Sequence, residues 1–181
     1  MELDAYLDGF AERDWQDGDP GGRLRFAVIG LGGFARDYAL PGLVDADLCE
    51  PTVVVSGSAG KAESWAEEFD AHGITYDEFH DGEAADAYDA VYVVTPNARH
   101  LGFVETAASL GKHVVCEKPL EATSARARRA VEACEEAGVA LMTAYRMQIH
   151  PAVRRMREML REGVVGDPVL VHGSFSIRSM R

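Results

Sequence analysis

Short valine-rich runs, separated by stretches with helical spacing, constrain this chain more than any other feature. Phe26-Ala27-Val28-Ile29, Val53-Val54-Val55, Ala90-Val91-Tyr92-Val93-Val94 and Val114-Val115 are apolar on both faces. A strand solvated on one side alternates apolar with polar residues; a run apolar throughout has to be covered on both sides. Strands are therefore expected over 25–29, 51–56, 90–94, 113–116 and 139–143. Helices are expected over about 34–45, 60–71, 98–110, 122–137 and 149–162. In the helix over 122–137, Ala127, Ala130, Val131 and Cys134 form an apolar stripe and Gly138 provides a C-cap. Strands alternating with helices imply an α/β chain with a doubly wound parallel sheet.

The ends of the chain read differently. Leu3, Tyr6, Leu7, Phe10 and Trp15 have weakly helical spacing, broken by the run from Asp17 to Gly22. After Gly166-Asp167-Pro168, residues 169–177 read as a long strand. Such a strand without a partner would be an exposed edge, so a second α/β domain is expected to begin there and to be truncated. The domains expected are a helix and linker over 1–22, a nucleotide-binding domain over 23–146, and a linking helix with the first strand of a second domain over 147–181.

The first strand runs straight into Gly30-Leu31-Gly32-Gly33-Phe34-Ala35, and a helix follows. This is the strand–turn–helix setting of the dinucleotide fingerprint of the Rossmann fold. Gly30 permits the turn, Gly32 lets backbone approach a pyrophosphate, and Ala35 keeps the helix close to the strand. Gly33 and Phe34 complete the loop facing the phosphates at the helix N-terminus.

NAD enzymes usually place an acid at the end of the second strand, on the ribose 2′-hydroxyl. Here Ser56-Gly57-Ser58-Ala59-Gly60-Lys61 follows instead. Ser56, Ser58 and Lys61 suit a 2′-phosphate, which favours NADP over NAD. The plainer reading is that Ser58 caps the next helix and Lys61 is solvated. The third run ends in Thr95-Pro96-Asn97-Ala98-Arg99-His100. Pro96 fixes a turn, Asn97 suits a helix cap, and both stand where a cofactor lies, as do Thr95 and His100. His100 reads equally well as a surface histidine.

His113-Val114-Val115-Cys116-Glu117-Lys118-Pro119 carries the sharpest signal. A buried strand delivers Lys118 to the carboxyl edge of the sheet, where ligands bind in open α/β folds, and Pro119 stops the strand. Lysine is scarce here: Lys61, Lys112 and Lys118 stand against 15 arginines and 30 acidic residues. A lysine kept in such a composition is expected to have a task, and Lys118 is the candidate catalytic residue. A non-catalytic nucleotide sensor or scaffold would need the glycines but no lysine at this place.

The formal charge of -12 argues against nucleic acid and anionic membranes as partners. No apolar run approaches a membrane span and no targeting signal is visible at the N-terminus. Cys49, Cys116 and Cys134 form no C-x-x-C pair, which points to reduced thiols and a cytoplasmic protein. No histidine or cysteine spacing indicates a metal site, and no G-x-S-x-G elbow indicates hydrolysis.

Gly30-x-Gly32-x-x-Ala35, Thr95-Pro96-Asn97-x-x-His100 and Gly111-Lys112-His113-Val114-Val115-Cys116-Glu117-Lys118-Pro119 occur in this order. Ala144-Tyr145-Arg146, His150-Pro151 and Gly166-Asp167-Pro168 follow. Together they resemble the glucose–fructose oxidoreductase / inositol dehydrogenase family of NAD(P)-dependent sugar oxidoreductases, over roughly 24–178. The Tyr-Arg pair is most similar to the glucose–fructose oxidoreductase and xylose dehydrogenase branch. The acidic, lysine-poor composition is similar to that of its haloarchaeal members.

The resemblance implies hydride transfer between an aldose, such as xylose or glucose, and NADP. Cyclitols, dihydrodiols and imines are alternative substrates within the same fold. It also implies that Lys118 contacts the reacting hydroxyl, that Glu117 and Pro119 help hold the nicotinamide, and that Arg146 borders cofactor or sugar. Family members form homo-oligomers through a C-terminal sheet that also supplies the acid/base partner, so this chain alone is expected to be inactive.

The acidic, lysine-poor composition leads to a test. In concentrated salt the self-repulsion of so many carboxylates is screened; a GC-rich genome is the alternative origin of the bias. The thermal unfolding midpoint is expected to rise as KCl goes from millimolar to molar. A flat or falling series would show that the composition is not a salt adaptation.

Overall fold

The buried valine runs become a sheet. The structure, a computed structural model, describes residues 3–8 and 21–174. After α1 (Leu3–Asp8) come β1 (Leu24–Ile29), β2 (Cys49–Ser56), β3 (His72–Thr75), β4 (Ala90–Val93), β5 (His113–Cys116) and β6 (Leu141–Thr143). They form one sheet in the order β3-β2-β1-β4-β5-β6, with every neighbouring pair parallel. This is the doubly wound Rossmann order, which reverses direction between β1 and β4.

Alternate residues of the strands serve two cores. Ala27, Ile29, Val53, Val55, Val91, Val93, Val114 and Cys116 face one side; Phe26, Val28 and Val54 face the other. The first side is covered by α4 (Tyr76–His80), α5 (His100–Ser109) and α6 (Ser124–Ala137), through Phe79, Leu101, Val104, Ala130 and Cys134. The second is covered by Leu40 and Leu43 of α2 (Leu40–Val44), and by Trp65, Ala66 and Phe69 of α3 (Ala59–Phe69). Arg25 and Asp89 tie the amino end of β1 to the loop before β4, with Nη2 to Oδ1 at 2.6 Å and Nε to Oδ2 at 3.0 Å. The guanidinium holds the Asp89 carboxyl down at about 2.

Three differences from the sequence reading have physical causes. The segment expected as one helix over 34–45 opens with a π-helical turn over Ala35–Ala39 before α2. Pro41 has no N–H to give to the preceding turn, and Leu40 N–H reaches back to the carbonyl of Ala35. β3 and α4 were not expected. His72 and Gly73 lack the β-branched signature of a strand. A Thr75-x-x-Glu78 capping box does mark the start of α4: Thr75 N–H donates to Glu78 Oε2 at 2.7 Å and Glu78 N–H donates to Thr75 Oγ1 at 3.3 Å. Last, residues 169–174 form no strand; Val169, Leu170 and Val171 stand exposed, with no ladder to hold an extended conformation. Residues 175–177 of that expected strand lie outside the described residues, as do 9–16 of the N-terminal helix.

The sheet belongs to one compact unit, Gly18–Tyr145. The other joins α1 to the segment from Arg146, which holds α7 (Arg146–Ile149) and α8 (Pro151–Arg161). Within it, Arg155 Nη1 donates to Tyr6 Oη at 3.1 Å and to Glu158 Oε2 at 3.0 Å. No helix among the described residues is long and apolar enough to cross a membrane.

The unexpected strand carries its own constraint. A Cβ on Gly73 would lie 2.6 Å from the carbonyl oxygen of Ala62, so α3 crosses β3 backbone against backbone. Gly73→Ala is expected to lower stability by about 1–3 kcal/mol, the range for overpacking, as read in a urea titration. An unchanged midpoint would show that α3 does not approach β3 this closely.

Candidate active site

Three strand ends converge where the sheet order reverses. β1 delivers Gly30, β4 delivers Thr95, and β5 delivers Glu117 and Lys118. Gly30 sits at φ +102°, and a Cβ there would stand 2.8 Å from Thr95 Cγ2 and 2.9 Å from Thr95 N. Only glycine fits, both for its backbone angle and for the space. Gly32 and Gly33 are exposed, and a Cβ on Gly32 would meet nothing within 4 Å. The approach over Gly32 is open to a ligand. Phe34 is exposed and pairs with Tyr38, ring centroids 5.6 Å apart, while Ala35 is buried.

Thr95 is buried, and its Oγ1 has no hydrogen-bond partner. An orphaned buried hydroxyl costs about 1–3 kcal/mol. Pro96 and Asn97 are exposed. Asn97 does not cap α5 with its side chain: the helix is entered through a 3₁₀ turn over Asn97–Arg99, and the Asn97 carbonyl accepts from His100 N–H. His100 is not a surface histidine. It is 1% exposed, its Nε2 is 2.7 Å from the carbonyl of Thr95, and its Nδ1 is 3.0 Å from the carbonyl of Leu120.

At the end of β2, Ser56 is buried and its Oγ accepts from Ser58 N–H at 3.2 Å. Ser58 opens α3, but its hydroxyl makes no capping bond and is exposed. The exposed Lys61 lies over Trp65, its Nζ 5.6 Å from the ring centroid. A Cβ on Gly57 would come within 3.1 Å of the Tyr76 ring. No acid stands on this strand end.

Beside Lys118, Glu117 is pinned and the lysine is not. Glu117 Oε1 accepts from Tyr92 Oη at 2.8 Å, and its Oε2 accepts from Lys118 N–H at 3.2 Å. Burial, and then the Glu117 carboxylate, push the Tyr92 phenol far above its ordinary range. Lys118 and Pro119 are exposed, joined by a cis peptide bond, and Lys118 makes no ion pair among the described residues. Arg146 opens α7 in the other unit and is exposed. Burial raises the Cys116 thiol to about 12, which leaves it without nucleophilic character at neutral pH. No His/Cys/Asp/Glu cluster suited to a metal occurs among the described residues.

One residue of this region gave no sequence signal. The Glu121 side chain is wholly buried and accepts from Leu101 N–H at 3.2 Å, Ala122 N–H at 2.6 Å and Arg126 Nη2 at 2.8 Å. It caps α5 from a distance, where Asn97 was expected to. Arg126, and then the two backbone N–H groups, lower its carboxyl from 4.5 to about 2. A depressed carboxyl stabilises the fold above the unfolded pKa and loses that contribution as pH falls toward the folded one. Glu121→Gln is therefore expected to cost about 1–3 kcal/mol at pH 7. The gap between parent and variant should narrow by about 1 kcal/mol as pH falls from 6 to 3.5, as read by urea denaturation. A gap constant with pH would mean that Glu121 is not held as a carboxylate.

Comparison with known proteins agrees with this geometry. The family model described as an oxidoreductase family with an NAD-binding Rossmann fold matches residues 24–145. The chain is 51% identical to D-xylose 1-dehydrogenase [NADP(+)] of Haloarcula marismortui over 97% of this chain and 50% of the relative. Aldose-aldose oxidoreductase of Caulobacter crescentus superposes with TM-score 0.71 at 33% identity, covering 78% of this chain and 43% of that one. KijD10, a 3-ketoreductase of Actinomadura kijaniata solved with NADP, gives TM-score 0.68 at 33% identity, covering 81% and 46%. The chain spans about half the length of the curated relatives it matches. With its glycine loop at the sheet reversal and the family match across the whole sheet, the chain belongs to the GFO/IDH/MocA oxidoreductase family.

Proposed function

We propose that this chain is the nucleotide-binding part of an NADP-dependent oxidoreductase that moves a hydride between an aldose and nicotinamide. The observation that carries the reading is Lys118, exposed and without an ion pair among the described residues, at the carboxyl end of β5 beside the reversal of the sheet. The 51% identity to a xylose dehydrogenase of Haloarcula marismortui supports xylose or a similar aldose.

The residues present fit a dinucleotide. The backbone at Gly32 is open to a ligand, and the orphaned Thr95 hydroxyl lacks a partner that a ligand oxygen would supply. Gly30, Gly32, Gly33, Phe34 and Ala35 would cradle the pyrophosphate at the helix N-terminus. Ser56 would border the ribose, while the free Ser58 hydroxyl and Lys61 would meet a 2′-phosphate where NAD enzymes place an acid. Thr95, Pro96 and Asn97 would line the nicotinamide side, with Glu117 and Pro119 beside them. When bound, the cofactor supplies the hydride chemistry at its nicotinamide ring. Lys118 then orients the sugar hydroxyl and handles its proton. Glu117 does not compete for it, because its carboxylate is engaged by Tyr92 and by the Lys118 N–H.

The same proposal includes the division into 1–22, 23–146 and 147–181, a cytoplasmic setting with reduced thiols, and assembly of the whole protein as a homo-oligomer. The test uses the protein that carries this chain. Lys118→Ala is expected to lower kcat about 10²–10⁴-fold while NADP affinity changes little. Lys118→Arg should not rescue, because guanidinium does not give up its proton. NADP should bind more tightly than NAD, and Lys61→Glu should weaken NADP more than NAD. Near-parental kcat in Lys118→Ala would leave a nucleotide-binding sensor or scaffold as the better reading.

A further inference from the structure

We propose that His100 is a positioning residue for Lys118, a clasp that ties the end of β4 to the turn after β5. The inference rests on the reading of Lys118 as the proton-handling group. His100 is 1% exposed, and each ring nitrogen faces a main-chain carbonyl: Thr95 O at 2.7 Å and Leu120 O at 3.0 Å. A carbonyl oxygen only accepts and a neutral imidazole carries one N–H, so one ring nitrogen donates to its carbonyl while the other packs against the second. Thr95 stands at the end of β4, against Gly30; Leu120 lies two residues beyond Lys118. The imidazole thus spans the gap between the two strand ends that form the candidate site.

The clasp is reinforced one residue further along on both sides. Leu101 N–H, next to His100, donates to the Glu121 carboxylate, next to Leu120. Arg126 holds that carboxylate at 2.8 Å and the carbonyl of Ala98 at 3.1 Å. Successive residues of α5 are therefore stitched to successive residues of the turn. On the other flank, Tyr92 holds Glu117 at 2.8 Å. Lys118 is exposed between Glu117, held by Tyr92, and Leu120, held by His100, so its direction is set by the backbone on either side rather than by any bond of its own ammonium group. A reacting geometry displaced by about 1 Å costs on the order of 10²-fold in rate, which is the leverage a clasp behind the lysine would have.

A purely structural role would be met by an apolar side chain of the same size, because an imidazole has to be hydrogen-bonded to be buried cheaply. Phenylalanine fills the volume and donates nothing. Glutamine retains an amide N–H donor on a side chain without the ring.

The test compares His100→Phe and His100→Gln with Val104→Ala, a core truncation on the same helix that touches no group of the site. All three are measured in the protein that carries this chain. His100→Phe is expected to lower kcat by about 10–100-fold, with NADPH affinity by fluorescence titration within about threefold of the parent and little change in sugar KM. Amide hydrogen exchange at Leu101 and Ala122, measured without ligand, should quicken in His100→Phe and not in Val104→Ala. His100→Gln should fall between parent and His100→Phe, and it decides the matter if the phenylalanine variant does not fold. Should His100→Phe lose no more kcat than Val104→Ala, or leave exchange at Leu101 and Ala122 unchanged, His100 is an ordinary core histidine and the proposal is overturned. The exchange measurement needs no turnover. It therefore judges the clasp even if Lys118→Ala shows that the catalytic reading is wrong.

Discussion

The approach of Gly30 to Thr95 is the contact on which the rest of the molecule depends. Ile29 pairs with Val93, and just beyond this pair Gly30 and Thr95 come so close that a Cβ would fall inside the van der Waals radius of backbone. This happens where the strand order reverses, so the connections from β1 and β4 leave in opposite directions and open a crevice between them. A side chain at position 30 would push the strand ends apart, and with them the glycine loop and the turn that begins at Thr95. The loss would be felt on both faces, because Val28 and Ile29 anchor the two cores from adjacent positions.

Much of this was legible in the sequence. Buried parallel strands leave a mark that needs no distant information: Val53-Val54-Val55 is apolar at every position because both faces are covered. What was not legible was local structure held by tertiary contact. His72 and Gly73 are a poor strand on propensity; they pair with Val53 and Val54 because α3 has to pack back on the sheet, and only glycine lets it come so near. Pro41 was in plain view, and its effect on the helix over 34–45 follows from the missing N–H. The Thr75-x-x-Glu78 cap is an equally local signal.

The candidate site divides the same way. Glycines at a strand end and a lysine before proline are short motifs, and their chemistry is carried by residues close in sequence. Their supports are not. Tyr92 and Glu117 are 25 residues apart, and Leu101 and Glu121 are 20 apart. Neither separation follows a helical or strand period, so a single sequence offers no reason to pair them. Asn97 had the better local claim to cap α5, yet the cap is Glu121, because a buried carboxylate with an arginine behind it outcompetes an exposed amide.

The three lysines close the argument about which cation matters. Lys61 lies 5.6 Å from the Trp65 ring centroid and Lys112 lies 5.4 Å from that of Tyr88. Each has a cation–π partner, worth about 0.5–1 kcal/mol at an exposed site. Lys118 has neither a ring nor a carboxylate against its ammonium group among the described residues, although the chain carries 30 acidic side chains. The nearest acid in sequence, Glu117, is held by Tyr92 and by the backbone N–H of Lys118 itself. An ammonium group already paired with a carboxylate would have to break that pair before meeting a substrate hydroxyl. By engaging Glu117 elsewhere, the fold leaves Lys118 unencumbered at the carboxyl edge of the sheet, where ligands bind in open α/β folds.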